Sequence, residues 1–224
     1  MRNIIIASGE HYHVFNRGNN KQVIFVDDRD RVRFLFLILH LQSGIKIWNI
    51  GYHSNQFTKH RVFSTSDEIK VDIVKNRYVE LVNFALMPNH FHLTVHEVEE
   101  NGIARYMQRV LNAYTKYFNT KYKKSGHLFQ GPYKAVHINH DRQLLYLSAY
   151  IHRNPKELKR WHRRVEYYPW SSYQDYIKEN RWGALLQNSI IRKQFSRGKE
   201  YRTFVETSGA KEIASYLDEE HRII

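Results

Sequence analysis

The run Tyr78-Val79-Glu80-Leu81-Val82-Asn83-Phe84-Ala85-Leu86-Met87, followed by Pro88-Asn89 and then His90-Phe91-His92-Leu93-Thr94-Val95-His96-Glu97-Val98, decides the fold. Proline is preset for the first central position of a tight turn and asparagine suits the second, so the two flanking runs read as a β-hairpin. Side chains alternate along a strand, which puts His90 and His92 on one face and Phe91, Leu93 and Val95 on the other.

Upstream, residues 11–15 and 22–26 read as two further strands joined around Asn16-Arg17-Gly18-Asn19-Asn20, a first hairpin with Asn- and Gly-rich turn chemistry. Asp27, Asp28 and Asp30 then offer an N-cap and a favourable charge before the apolar helix carried by Val32, Phe34, Leu35, Leu37, Ile38, Leu39 and Leu41. Ile45-Lys46-Ile47-Trp48 reads as a short strand, and the polar stretch from Ser54 to Ser66 as a long excursion whose middle is insertion or loop. Downstream, Ile103, Met107, Val110, Tyr114, Tyr117 and Phe118 recur at helical spacing until Ser125-Gly126. After the break at Gly131-Pro132, Tyr133–Ile138 is a last strand, and Asp141 caps a helix that runs to Arg153 and is ended by Pro155. This order of elements fits an α+β fold, an antiparallel sheet with helices packed on one face. The expected division is a domain over residues 1–155, with an insertion around 54–75, and a basic C-terminal extension over 156–224.

Composition narrows the function. The 224 residues contain no cysteine, which removes disulfide scaffolds, cysteine catalysis and thiolate metal sites. Lysine and arginine number 35 against 22 acidic residues, a net charge of +13. Together with 16 Tyr, 12 Phe and 4 Trp, that excess fits a surface that neutralises phosphates and offers rings to bases. The longest apolar run, Phe34–Leu39, is far short of the ~20 residues a membrane span needs, and Met1-Arg2-Asn3-Ile4-Ile5-Ile6 is too short an apolar stretch for a signal peptide. A cytoplasmic, DNA-associated location is the expectation.

Two neutral imidazoles at the spacing of His90 and His92 can share one metal ion; His96 has the same parity but lies further along the strand and ranks below them. The pattern is weak by itself among 14 histidines, and His11-Tyr12-His13 repeats it. On the late helix Tyr150 and Asn154 stand four residues apart and share a face. An amide oxygen is a suitable hard ligand to complete a two-histidine site for Mg²⁺ or Mn²⁺, and a tyrosyl oxygen beside it is placed to attack a phosphodiester. A Tyr150 that is simply core and an Asn154 that simply ends a helix satisfy helix geometry equally well.

The stretches Tyr12-His13-Val14-Phe15-Asn16-Arg17-Gly18, Leu86-Met87-Pro88-Asn89-His90-Phe91-His92, Gly126-His127-Leu128-Phe129-Gln130-Gly131, Tyr150-Ile151-His152-Arg153-Asn154-Pro155 and Tyr168-Pro169-Trp170-Ser171-Ser172-Tyr173 resemble, in that order, the single-tyrosine HUH transposases, and in particular the REP-associated tyrosine transposases. The resemblance runs from about residue 10 to 176. It implies a ferredoxin-like antiparallel sheet, a Mg²⁺ or Mn²⁺ held by His90, His92 and Asn154, and Tyr150 as nucleophile, with Tyr146, Tyr114 and Tyr117 as competitors. The segment from about Ser54 to Lys75 is longer than the family's usual connection, and His11-Tyr12-His13 matches the family's first strand, so it is assigned no ligand role. The implied activity is cleavage and rejoining of hairpin-flanked single-stranded DNA through a covalent 5′-phosphotyrosine. Arg17, Lys116, Lys121, Lys123, Lys124, Arg153, Lys159, Arg160, Arg163 and Arg164 are candidates for backbone contact, and Trp161, Trp170 and Tyr173 for base stacking. A homodimer that shares the Tyr150 helix is compatible with the sequence. The rivals are a nucleic-acid-binding module of the same fold without cleavage, and a metal-independent phosphoesterase with paired H-x-[ST] motifs, for which only His92-Leu93-Thr94 is present.

Overall fold

A computed structural model describes residues 6–209; Met1–Ile5 and the extension beyond residue 209 lie outside the described residues. Four strands, β1 (His11–Arg17), β2 (Val79–Met87), β3 (His90–Glu97) and β4 (Lys134–His137), form one sheet in the order β2-β3-β1-β4. Every pairing is antiparallel. The helices are α1 (Asp28–His40), α2 (Ile50–His60), α3 (Asp67–Lys75), α4 (Gly102–Tyr122), α5 (Asp141–Arg153), α6 (Tyr173–Ile177), α7 (Ser189–Arg192) and α8 (Gly198–Thr207). With α1 and α4 as its two crossovers, the sheet has the ferredoxin-like topology that the resemblance implied.

The hairpin forms as read, with one addition. Val82 is an extra residue in β2, where the register steps from Leu81↔Val95 to Asn83↔Thr94. This bulge keeps Leu81, Phe84 and Leu86 on the α1/α4 face, packed with Phe91, Leu93 and Val95 from β3 and Tyr114 and Phe118 from α4. The other face is covered too. Val82 and Ala85 pack with Leu147 and Ile151 of α5, Tyr176 of α6 and Tyr201 and Val205 of α8. Helices therefore lie on both faces, because this α5 and the C-terminal segment bury the side of the sheet that the crossovers leave bare.

Four sequence expectations fail locally. Residues 22–26 form no strand: the Ile24 and Phe25 amides both donate to the Pro88 carbonyl, and Tyr114 Oη donates to the Ile24 carbonyl, so β1 pairs with β3 and β4 instead. Residues 45–48 form no strand either, since the Arg109 guanidinium takes the Ser43 and Ile45 carbonyls and Trp48 is exposed. The 54–66 excursion is partly helical: Phe57 of α2 and Phe63 close over Phe36 and His40 of α1, and Ser66 caps α3. At the start of α5 the cap is His140, whose Nδ1 accepts from the Gln143 amide, rather than Asp141.

Two devices lock α4. At its start the buried Glu97 carboxylate accepts from the Gly102 and Ile103 amides at 2.9 and 2.6 Å, meeting the unpaired donors and the positive end of the helix. Near its end Lys121 reaches Asp27 and the fully buried Asp30 at 2.8 and 2.7 Å, while Tyr117 and Tyr122 also donate to Asp30. Burial beside Asp30 raises the Tyr117 phenol to about 12. Gly102 fits because a Cβ there would lie 2.2 Å from the Tyr78 carbonyl oxygen. Gly102→Ala is expected to destabilise the fold by about 1–3 kcal/mol, lowering the melting midpoint by about 2–4 °C per kcal/mol. Thermal unfolding checks this, and a midpoint equal to wild type would show that the Tyr78 backbone yields at no cost.

Candidate functional site

His90 and His92 share the sheet face beneath α5, and Tyr150 of α5 and Asn154, the residue that caps its C-terminus, face them. The rings of His90 and His92 are 5.1 Å apart and nearly perpendicular. The Tyr150 ring stands edge-on to His92 with centroids 5.5 Å apart. Asn154 Oδ1 lies 3.4 Å from His90 Nε2. The four residues that the sequence singled out thus converge on one spot, two from a strand and two from one helix face.

Each side chain is oriented by a further contact. The Asn154 amide nitrogen donates to the Tyr150 carbonyl at 3.1 Å, which turns its oxygen toward the histidines. Asn89 donates its own amide to the Lys21 carbonyl at 3.3 Å and thereby points Oδ1 at His90 Nδ1, 2.7 Å away. His90 therefore carries its proton on Nδ1, and its Nε2 lone pair faces the Asn154 oxygen. Two acceptors 3.4 Å apart with no proton between them suit an intervening cation. His92 Nε2 is buried and without a hydrogen-bond partner. Burial depresses both histidines, His90 to about 4, with the Asn154 contact opposing and the Arg17 charge adding to the shift. Both are neutral at pH 7. Among the described residues no three His, Asp or Glu side chains form a metal cluster; the further oxygen that faces His90 is the Asn154 amide oxygen.

The competing tyrosines are elsewhere. Tyr114 and Tyr117 bond to the Ile24 carbonyl and Asp30 on the opposite side of the sheet, and Tyr146 is buried against Phe204. His96 bonds to Glu80 at 3.0 Å and stacks on His11, away from the other two histidines. A groove lined by Phe57, Phe63, Val71 and Trp182 contains none of the converging residues.

The DNA-contact candidates divide. Arg17 is the cross-strand partner of His90 and sits at the site. Lys159, Arg160, Arg163 and Arg164 are exposed just beyond Asn154, with Arg160 and Arg164 flanking the half-buried Trp161. Lys116, Lys123 and Lys124 are exposed on or beside α4, in the layer on the far side of the sheet. Others have structural duties. Lys121 belongs to the Asp27/Asp30 ion pairs, and Arg153 donates to the Val205 and Ser208 carbonyls at the end of α8. Trp170 and Tyr173 are buried rather than presented on the surface: the segment runs along the outer edge of β2, where the Leu86 amide donates to the Trp170 carbonyl and the Ser172 amide to the Phe84 carbonyl. A residue the sequence reading passed over is His13, whose Nε2 is 2.8 Å from His92 Nδ1. Strand parity was its available signal, because His13 and His92 share a face once β1 lies beside β3.

A ferredoxin-like sheet carrying paired strand histidines under a helical tyrosine and asparagine is an architecture suited to transposase chemistry, and the sequence matches such a family. Residues 40–154, just over half of the chain, match the family model described as transposase IS200 like, and the chain belongs to that family. It is also similar to a solved structure of a REP-associated tyrosine transposase bound to a REP hairpin, at 15% identity over 78% of this chain and 82% of that one, with a TM-score of 0.47. No curated protein matches the chain. Among the described residues no helix is long and apolar enough to cross a membrane.

Proposed function

We propose that the chain is a metal-dependent transesterase of single-stranded DNA that cleaves and rejoins hairpin-flanked strands through Tyr150. The observation that carries this reading is the convergence of Tyr150, Asn154, His90 and His92 on one spot, with the Asn154 oxygen facing His90 Nε2. In the proposed step the Tyr150 oxygen bonds to phosphorus and the P–O3′ bond breaks. The phenol loses its proton, the departing 3′-oxygen gains one, and the 5′-phosphate remains on the tyrosine. Rejoining is the reverse, attack by a 3′-hydroxyl on the phosphotyrosine, so no nucleotide cofactor is consumed. A phenol with pKa ~10 is a poor nucleophile at pH 7. His90, His92 and Asn154 would hold a Mg²⁺ or Mn²⁺, which when bound would supply Lewis acidity to the scissile phosphate and favour the phenolate. Catalysis beyond that is positioning, which the packing of α5 provides.

The division of labour in this reading is a catalytic unit over residues 1–155 and a basic extension from 156 that supports α5 and offers the exposed cluster Lys159–Arg164 to phosphates. Arg17 beside His90 holds a phosphate at the reacting end. Arg17→Ala is expected to weaken hairpin binding and to reduce by about one the slope of log affinity against log salt. Fluorescence anisotropy over a salt series checks it, and an unchanged slope would remove Arg17 from the phosphate contacts. The reading as a whole is tested by incubating the protein with a pool of labelled single-stranded hairpins and Mn²⁺ or Mg²⁺. A denaturation-resistant protein–DNA adduct that chelator prevents is the expected result. Retarded DNA without any adduct, with the whole pool sampled, would favour a binding module.

A further inference from the structure

We infer that His13 is a positioning residue that fixes which nitrogen of His92 is open to a cation; this deepens, and rests on, the reading of His90, His92 and Asn154 as a metal centre. A neutral imidazole has one N–H and one lone pair, so the partner of one nitrogen dictates the state of the other. For His90 that partner is Asn89 Oδ1, an atom that can only accept, which leaves Nε2 as the lone pair. For His92 the partner is His13 Nε2 at 2.8 Å, and His13 is fully buried between the strands. One proton lies between these two nitrogens.

If His13 held it, His92 Nε2 would have to be an N–H; that atom is buried and makes no hydrogen bond in this structure, Asn154 being the side chain beside it, and an N–H there is closed to a cation. If His92 Nδ1 holds it and His13 accepts, the same buried Nε2 becomes a lone pair facing the site, which needs no hydrogen to satisfy it when a cation is present. The second arrangement leaves no stranded donor and makes the two strand histidines equivalent, with Nδ1 protonated and Nε2 a ligand in both. The nearly parallel stacking of the two rings, centroids 5.1 Å apart at 15°, holds the nitrogens in line. His11-Tyr12-His13 thus serves the metal motif without supplying a ligand.

The test has a metal-free and a metal-dependent arm. In the metal-free protein labelled with ¹⁵N-histidine, long-range ¹⁵N–¹H correlation spectra are expected to show His92 protonated at Nδ1, assigned by its loss in His92→Leu. A His92 protonated at Nε2 would overturn the inference whatever the metal does. In the second arm Mn²⁺ binding is measured by calorimetry and by the electron paramagnetic resonance signal of free Mn²⁺. His13→Leu, which removes the acceptor, is expected to weaken Mn²⁺ by about 10–100-fold. His13→Gln, which returns an acceptor oxygen near the Nε2 position, is expected to stay within about fivefold of wild type. Equal affinities for wild type and His13→Leu would overturn the positioning role. If wild type binds Mn²⁺ no better than His92→Leu, the metal centre itself is wrong and the inference falls with it; that result is distinct from a centre that binds normally but ignores His13. Should His13→Leu fail to fold, the tautomer measurement and the glutamine variant still decide.

Discussion

Tyr150→Phe is expected to form no denaturation-resistant adduct with hairpin DNA, a loss of at least about a thousandfold, while its affinity for the same DNA stays within about twofold of wild type. The substitution removes one oxygen and keeps the ring that stands edge-on to His92, so the packing of α5 on the sheet survives. The tie between the Asn154 amide and the residue-150 carbonyl is a backbone contact and survives as well. Adduct formation on denaturing gels and binding by anisotropy, run on the same samples, separate chemistry from recognition. An adduct that persisted would transfer the nucleophile to another tyrosine. Tyr146, one turn earlier, would be first in line, because the Tyr114 and Tyr117 hydroxyls are committed to the Ile24 carbonyl and to Asp30.

The second large effect is on stability against acid. His40 is buried where α2 and Phe63 close over α1; its Nδ1 donates to the Phe36 carbonyl at 3.0 Å and its Nε2 accepts from Thr65 at 3.1 Å. Burial pushes it down to about 3 in the folded chain, whereas an exposed histidine titrates near 6.5. The unfolded state therefore binds the extra proton. The His40 contribution is complete above pH 6.5 and is lost progressively as the pH falls from 6.5 toward 3. At pH 4.5 about 3 kcal/mol of it has gone, at 1.36 kcal/mol per pH unit. His40→Gln should be markedly less stable than wild type at pH 7 and should close most of that gap by pH 4.5. Urea unfolding of both proteins at pH 7, 5.5 and 4.5 measures the convergence; parallel curves would show that His40 is protonated within the fold.

The parts of the molecule that local chemistry decides were legible in the sequence. Pro88-Asn89 specified the hairpin, the spacing of Ile103, Met107, Val110 and Tyr114 specified α4, and the four-residue step from Tyr150 to Asn154 specified their common face. What failed depends on partners far away in the chain. Val23-Ile24-Phe25-Val26 has strand composition, but the Ile24 and Phe25 amides are claimed by the Pro88 carbonyl and the Val26 amide by Asp30, and it drapes as a loop with Val23 and Val26 exposed. The α2–α3 insertion is polar and is held largely by Phe57, Phe63 and Ile73, too few apolar positions to set a period. Charge and aromaticity alone did not separate Lys121, Arg153, Trp170 and Tyr173, which hold the fold together, from Arg17 and the Lys159–Arg164 cluster. His13 was invisible as a site residue until the strand order placed β1 against β3.

That strand order also fixes the sequence of events in which the chain becomes ordered. β1 is made first, yet it sits inside the sheet with β3 on one side and β4 on the other. As the chain is synthesised, residues 11–17 wait for residues 90–97 before either edge is paired, and for residues 134–137 before the second is. Val14 and Phe15, buried in the finished protein, stay uncovered through that interval. Long-range closures of this kind slow folding and leave strand edges open to neighbours. The hairpin of β2 and β3, local and joined by a two-residue turn, is the template that receives β1 and so governs when His13 and His92 first meet.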